Sequence, residues 1–218
     1  MVKEQAVVLL SSGLDSTINI YQASKEFNVK LALTFDYGQR ARVKEIEMAK
    51  KTSEYLAIPH KVVSLPWFSE FTETSLVNSE KHIPTEEVRI DDLEASQQSA
   101  KSVWVPNRNG IFLNIAAAYA EGIGAKYVIP GFNLEEATTF SDNSQDFIDQ
   151  LNRSFCYSTS NHVEVKCFTT ALNKTEIFRW GQRLNVKFDY IWPCYFSGEQ
   201  LCGQCESCQR YLRAQREA

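Results

Sequence analysis

AVVLLSSGLDSTINIY, residues 6–21, decides the fold. Its first part, Ala6 to Leu10, is a short apolar run that reads as a buried strand. From Asp15 to about Lys25 the pattern turns helical, with Leu14, Ile18 and Tyr21 at helical spacing. Between strand and helix stand small hydroxyls, one glycine and one carboxylate. The N–H groups at a helix start bind anions, and Ser or Thr hydroxyls add donors. The same residues equally suit an ordinary capped turn, with Ser12 or Asp15 as N-cap. The stretch is neither a GxxxxGK[ST] loop nor a dinucleotide GxGxxG turn. Composition leaves both readings open.

Working outward, the same alternation repeats. VKLALTFDY (29–37), HKVVSLP (60–66), AKYVIPGF (125–132) and HVEVKCF (162–168) read as further strands. RVKEIEMAKKTSEYLA (42–57) is an amphipathic helix, with Ile46, Ala49 and Leu56 facing inward and its charges outside. Helices are also expected over 108–124, 144–158 and 173–184. Strands alternating with helices imply a parallel sheet covered on both faces. Ligands gather beyond the carboxyl ends of such strands, here SSGLDS, FDYGQR, GFNLEE and TTALNK. Residues 67–103 interrupt the rhythm: rich in Ser, Thr and Glu, with Pro84 and no long apolar face, they read as an excursion near a site, partly mobile.

With 218 residues, 44% hydrophobic and 12% aromatic, the chain can bury a substantial core. Lys and Arg number 23 against 27 Asp and Glu, so no global basic field advertises a nucleic-acid partner. No apolar run of about 18 residues is present, and the start is too short and too early-charged for a signal peptide. The expectation is a soluble, cytoplasmic protein with no membrane partner. His60, His82 and His162 are scattered without metal spacing.

Cys194, Cys202, Cys205 and Cys208 fall in the pattern C-x7-C-x2-C-x2-C. Four thiolates so placed can close a tetrahedral structural site, and Gly198 and Gly203 permit its turns. Zinc is favoured; an iron–sulfur cluster also takes four cysteines, and a redox pair at Cys205 and Cys208 is the rival. Cys156 and Cys167 read as buried free thiols. The whole is an α/β fold: a Rossmann-like, doubly wound, parallel five-stranded sheet with a C-terminal zinc-binding module. The expected division is 1–185, carrying the 67–103 excursion, and 186–218, packed on the same domain.

LSSGLDST resembles the SGGxDS pyrophosphate loop of N-type ATP pyrophosphatases, with Ser12 where glycine is usual. Together with TFDYGQR (34–40), VPNRNGIFLNIAAAYAE (105–121) and WPCY…CGQCESC, the chain resembles the 7-cyano-7-deazaguanine synthases from about Ala6 to Arg213. The resemblance implies ATP-dependent conversion of 7-carboxy-7-deazaguanine and ammonia to the nitrile, with Mg²⁺, structural zinc and a homodimer. It implies an ATP site at Leu10, Ser11, Ser12, Gly13, Leu14, Asp15, Ser16 and Thr17, flanked by Phe35, Tyr37, Gln39 and Arg40. Asp15, Ser16 and Lys174 take the catalytic roles, neutralising departing pyrophosphate. Arg108 and Asn109 suit a carboxylate or phosphate, while Asn133, Glu136, Phe140 and Asp142 align with the family's substrate segment. There Glu136 would meet the guanine-like N–H edge and Phe140 stack on the ring. Ser141, Asn143 and Ser144 replace the Pro, Cys and Arg of that segment. Other readings are an enzyme passing the activated carboxylate to another amine, a tRNA-thiolating enzyme, and a non-catalytic zinc-ribbon protein. For Ser12 two outcomes are open: a negative φ, or a hydroxyl given to phosphate.

Overall fold

Val, Leu, Ile and Ala concentrate in short segments, and these become strands buried on both faces. The computed structural model describes residues 2–85 and 101–218. Its strands are β1 (Gln5–Leu9), β2 (Asn28–Asp36), β3 (His60–Ser64), β4 (Tyr127–Ile129) and β5 (Glu164–Val165). All pair in parallel, in the order β3-β2-β1-β4-β5. β4 is shorter than the apolar run that contains it, since Pro130 has no N–H to continue the ladder.

The connecting helices are α1 (Leu14–Glu26), α2 (Arg42–Tyr55), α3 (Phe68–Phe71), α4 (Arg108–Gly122), α5 (Leu134–Ala137), α6 (Gln145–Ser158), α7 (Lys174–Leu184) and α8 (Glu206–Glu217). Alternation along β1 divides the core. Val7 packs with Leu113 and Ala116 of α4 and Ile148 and Phe155 of α6. Ala6 and Val8 pack on the other face with Ile18 of α1, Ile177 and Phe178 of α7 and Tyr211 of α8.

Two expectations change here. The described part of the 67–103 excursion is well packed: Phe68, Leu76, Ile83 and Val103 are all buried in the core. These anchors are single residues at irregular spacing, so no stripe announces them; residues 86–100 lie outside the described set. Cys156 is exposed rather than buried, and Cys167 is half-buried.

The order of strands positions the site. The chain winds outward from β1 through β2 to β3, then returns to place β4 on the other side of β1. Between β1 and β4 the winding reverses, opening a crevice at the carboxyl ends of the strands. The α1 start fills one lip of it. Gly131, just past β4, comes so close to that start that a Cβ would lie 2.6 Å from the Ser16 Cα. Only glycine allows the approach.

Candidate active site

The turn after β1 carries no side-chain cap. Gly13 is the N-cap of α1, in extended conformation, and among the described residues no side chain caps the first helical N–H groups. Neither Ser12 nor Asp15 therefore caps the helix, because both side chains are directed elsewhere. The hydroxyls of Ser11 and Ser16 stand 3.1 Å apart, and Ser16 Oγ donates to the Gly13 carbonyl at 3.2 Å. What results is a small-residue loop at a helix start whose N-cap supplies no side-chain acceptor, an arrangement able to receive an anion.

Ser12 adopts φ +61, in the left-handed region, so the negative-φ outcome does not hold. Its side chain is fully buried and does not line the cavity, and its Oγ has no partner among the described residues. Its carbonyl instead accepts from the Trp192 N–H at 2.8 Å, tying the loop to the cysteine segment.

Above the loop lies a charge relay. Lys174, the first residue of α7, places its Nζ 2.5 Å from Asp15 Oδ2 and 2.8 Å from Glu136 Oε1. Asn173 and Glu176 form a reciprocal capping box that fixes this helix start. Asn133 caps α5 and donates through Nδ2 to Asp15 Oδ2 at 3.0 Å. Burial pushes the Asp15 carboxyl up to about 6, partly offset by Lys174. Burial alone would lower the Lys174 ammonium, yet Asp15 and Glu136 hold it above the ordinary lysine value. For Glu136 burial acts upward and Lys174 more than compensates, leaving it below the usual glutamate value. Asp15 Oδ1 remains buried without a partner among the described residues. An orphaned carboxylate oxygen beside an anion loop suits a hard divalent cation such as Mg²⁺.

Loop and relay open into one cavity of about 260 Å³. Leu10, Ser11, Gly13, Leu14, Asp15 and Ser16 line it, as do Phe35, Tyr37 and Gln39 and, opposite, Arg108, Asn109, Glu136, Phe140, Asp142 and Lys174. Ser12, Thr17, Arg40 and Asn133 do not. Ser12 and Thr17 are buried behind the loop, and Asn133 works from behind Asp15. Arg40 is turned away: its guanidinium holds the carbonyls of Asn78 and Lys81 in the excursion.

At the far end Arg108 Nη1 donates to the Tyr37 hydroxyl at 3.3 Å. Burial works against the Arg108 charge, but Tyr37, Asp142 and Glu136 hold its pKa above the arginine value. Asp142 is pushed up by burial, with Arg108 pulling the other way. Glu45 on α2, expected outside with the other charges, also lines the cavity. Gln39 Nε2 donates to its Oε2 at 2.7 Å, and burial raises its carboxyl to about 7. In a charged amphipathic helix nothing in the periodicity separates this glutamate from its solvated neighbours. Trp104, Trp192, Tyr195, Glu206 and Arg210 are further wall residues that the sequence reading missed.

The four cysteine sulfurs gather within 4.8 Å of one another, with Cys202 and Cys208 Sγ 3.8 Å apart. Metal–sulfur bonds of about 2.3 Å in a tetrahedron set sulfurs about 3.8 Å apart. The donor set therefore fits one tetrahedral ion; four irons with bridging sulfides would force the thiolates much farther apart. The N–H groups of Phe196 and Cys205 donate to Cys194 Sγ at 3.4 Å and Cys202 Sγ at 3.3 Å. From this cluster α8 departs, and its Arg210 bridges Glu206 and Glu135 at 2.9 Å each. Glu135 also accepts from Arg213 at 2.5 Å and from the Lys174 backbone N–H at 2.9 Å.

The family described as queuosine biosynthesis protein QueC matches residues 5–218. The chain belongs to this family. Among its relatives, the 7-cyano-7-deazaguanine synthase of Bdellovibrio bacteriovorus is 58% identical over 97% of this chain and 92% of its own. That of Methanosarcina barkeri is 46% identical over 98% and 94%. Among solved structures, the U34-tRNA thiolase NcsA from Methanococcus maripaludis, with its [4Fe-4S] cluster, superposes with a TM-score of 0.53 at 16% identity. The match covers 99% of this chain and 66% of that one. NMN synthetase from Francisella tularensis gives 0.50 at 17% identity, over 92% and 71%. At such identity these structures share the QueC chain's fold. Among the described residues no helix is long and apolar enough to cross a membrane.

Proposed function

We propose that this chain is an ATP-dependent ligase that converts 7-carboxy-7-deazaguanine and ammonia to 7-cyano-7-deazaguanine. What carries the reading is the family match over residues 5–218, with its synthase relatives, on a chain whose cavity unites an anion loop and a lysine–carboxylate relay. The substrate carboxylate attacks the α-phosphorus of ATP, and pyrophosphate leaves with the electron pair. Ammonia then displaces AMP and loses a proton, giving the amide. The amide oxygen attacks a second ATP in the same way. Loss of AMP, with the carbon–oxygen bond's electron pair, and of both nitrogen-bound protons leaves the nitrile.

In both adenylations negative charge develops on the departing pyrophosphate. The N–H groups of the α1 start and the Lys174 ammonium are pre-positioned to receive it. Asp15 Oδ1 is the proposed Mg²⁺ ligand, and Mg²⁺ supplies charge neutralisation at the phosphates. Glu136 spends its charge on Lys174, so Asp142 is the better acceptor for the N–H edge of the substrate. Arg108, between Tyr37 and Asp142, is placed for a carboxylate or phosphate oxygen. Zinc is the proposed ion of the cysteine cluster, on the sulfur spacing, and residues 186–218 are its module. A cytoplasmic homodimer completes the reading, and gel filtration tests the oligomer.

The deciding measurement is mass spectrometry of the holoenzyme with 7-carboxy-7-deazaguanine, ATP, Mg²⁺ and ammonium. The expected product is the nitrile, with two AMP formed per nitrile. A conjugate to another amine, or no nitrile at all, overturns the proposal.

A further inference from the structure

The cavity has an aromatic wall that neither the loop nor the relay uses. Trp104 lies on the stretch leading into α4, and Phe140 on the stretch after α5. Both face the cavity, with ring centroids 6.0 Å apart and planes within 7° of parallel. Trp104 is 38% exposed, an unusual position for the largest apolar side chain beside a pocket. The two rings, from separate segments, stack on each other, so a planar heterocycle lying parallel to them at the cavity edge continues a stack already in place.

Their place in the fold says which planar group they meet. The attacking carboxylate and the α-phosphate must come together near the α1 start, so the acceptor and the adenine approach from different sides. Phe35, Tyr37 and Gln39 wall the β2 side. Phe140 belongs to the β4 side, two residues from Asp142, whose carbonyl accepts from Asn109 Nδ2 at 3.3 Å. A ring stacked there shares the cavity with the Asp142 carboxyl, two residues from Phe140, and with Arg108, whose guanidinium reaches across to Tyr37.

We infer that Trp104, paired with Phe140, is the stacking surface that seats the deazapurine ring, making Trp104 a specificity-determining residue for the acceptor and not for the nucleotide. This rests on the proposed function. The flat aromatic face supplies binding to any purine-like ring, and the neighbouring carboxyl selects among them by their N–H edges.

Isothermal titration of the zinc-loaded protein tests it, using 7-carboxy-7-deazaguanine and ATP·Mg²⁺ as separate probes. W104A is expected to bind the heterocycle about tenfold more weakly, with ATP·Mg²⁺ affinity changed less than twofold. W104F, which keeps a flat ring, should stay within about threefold of the unsubstituted protein for both. In steady state the W104A loss should appear in KM for the heterocycle and not in kcat. If W104A binds the heterocycle as tightly as the unsubstituted protein, or loses ATP equally, the stacking assignment is wrong while the function stands. If the unsubstituted protein fails to bind 7-carboxy-7-deazaguanine, the function and this inference fall together.

Discussion

The two ends of the cavity treat charge differently. At the α1 end, Lys174 sits between two carboxylates, and Asn133 and the Glu135–Arg210 contacts brace them from behind. At the β2 end, Glu45 is half-buried with an amide side chain as its hydrogen-bond donor, and its pKa has risen to about 7. One end pairs its ions in low dielectric; at the other, the Glu45 carboxyl drifts toward neutrality. The difference separates a cluster of mutually paired charges from a carboxyl held by an amide alone among the described hydrogen bonds.

The sharpest break in that contrast is removal of the relay cation or its anchor. K174A and D15A should each lower kcat/KM about a thousandfold, the scale of losing a pre-positioned electrostatic contact. E45Q should cost less than tenfold in the same assay. If E45Q proves as damaging as K174A, the two ends do not divide the work as described. C205S comes next: metal analysis should show the ion lost, and activity should fall with it because Glu206 and Arg210 line the cavity from α8.

Proton linkage separates the ends again. Asp15, raised to about 6, is ionised and able to hold a cation only above that value. The pH profile of kcat/KM should therefore fall on the acid side with a midpoint near 6. Glu45 is instead visible in stability. Its carboxyl rises from 4.5 to about 7 on folding, so its contribution is full below 4.5 and is lost as pH climbs through about 7. Asp15 follows the same sign, so the informative quantity is the Tm difference between E45Q and the unsubstituted protein, which should grow in favour of E45Q from pH 5 to pH 8. The smallest effect belongs to Ser12. At φ +61 it bears a left-handed backbone that glycine adopts freely, so S12G should gain about 1 kcal/mol and raise Tm by about 2–4 °C.

The α1 end was far more legible in sequence than the β2 end. A strand, a Ser-Ser-Gly turn and a helix in immediate succession confine Ser11 to Ser16 to one place, and the alternation of strands and helices implies the parallel sheet. Lys174 was legible because it opens a helix after a strand end. Glu45 was not, since one glutamate on a helix with many charges gives no periodic signal. Arg40 misled for the opposite reason: its position beside Gln39 pointed to the cavity, but the carbonyls of Asn78 and Lys81, far along the chain, claim its guanidinium. Ser12 needed a dihedral angle, which no residue pattern supplies.

Glu206 and Ser207, both on the cavity wall, are the two residues between Cys205 and Cys208. The spacer of the thiolate cluster and part of the cavity wall are the same two residues. Adding or deleting one residue there rotates α8 by about 100° relative to the cluster. That shift carries Arg210 off Glu135, and with it the brace behind Lys174. The length of this segment is therefore set twice over, once by coordination geometry and once by chamber shape, leaving little room for insertions or deletions.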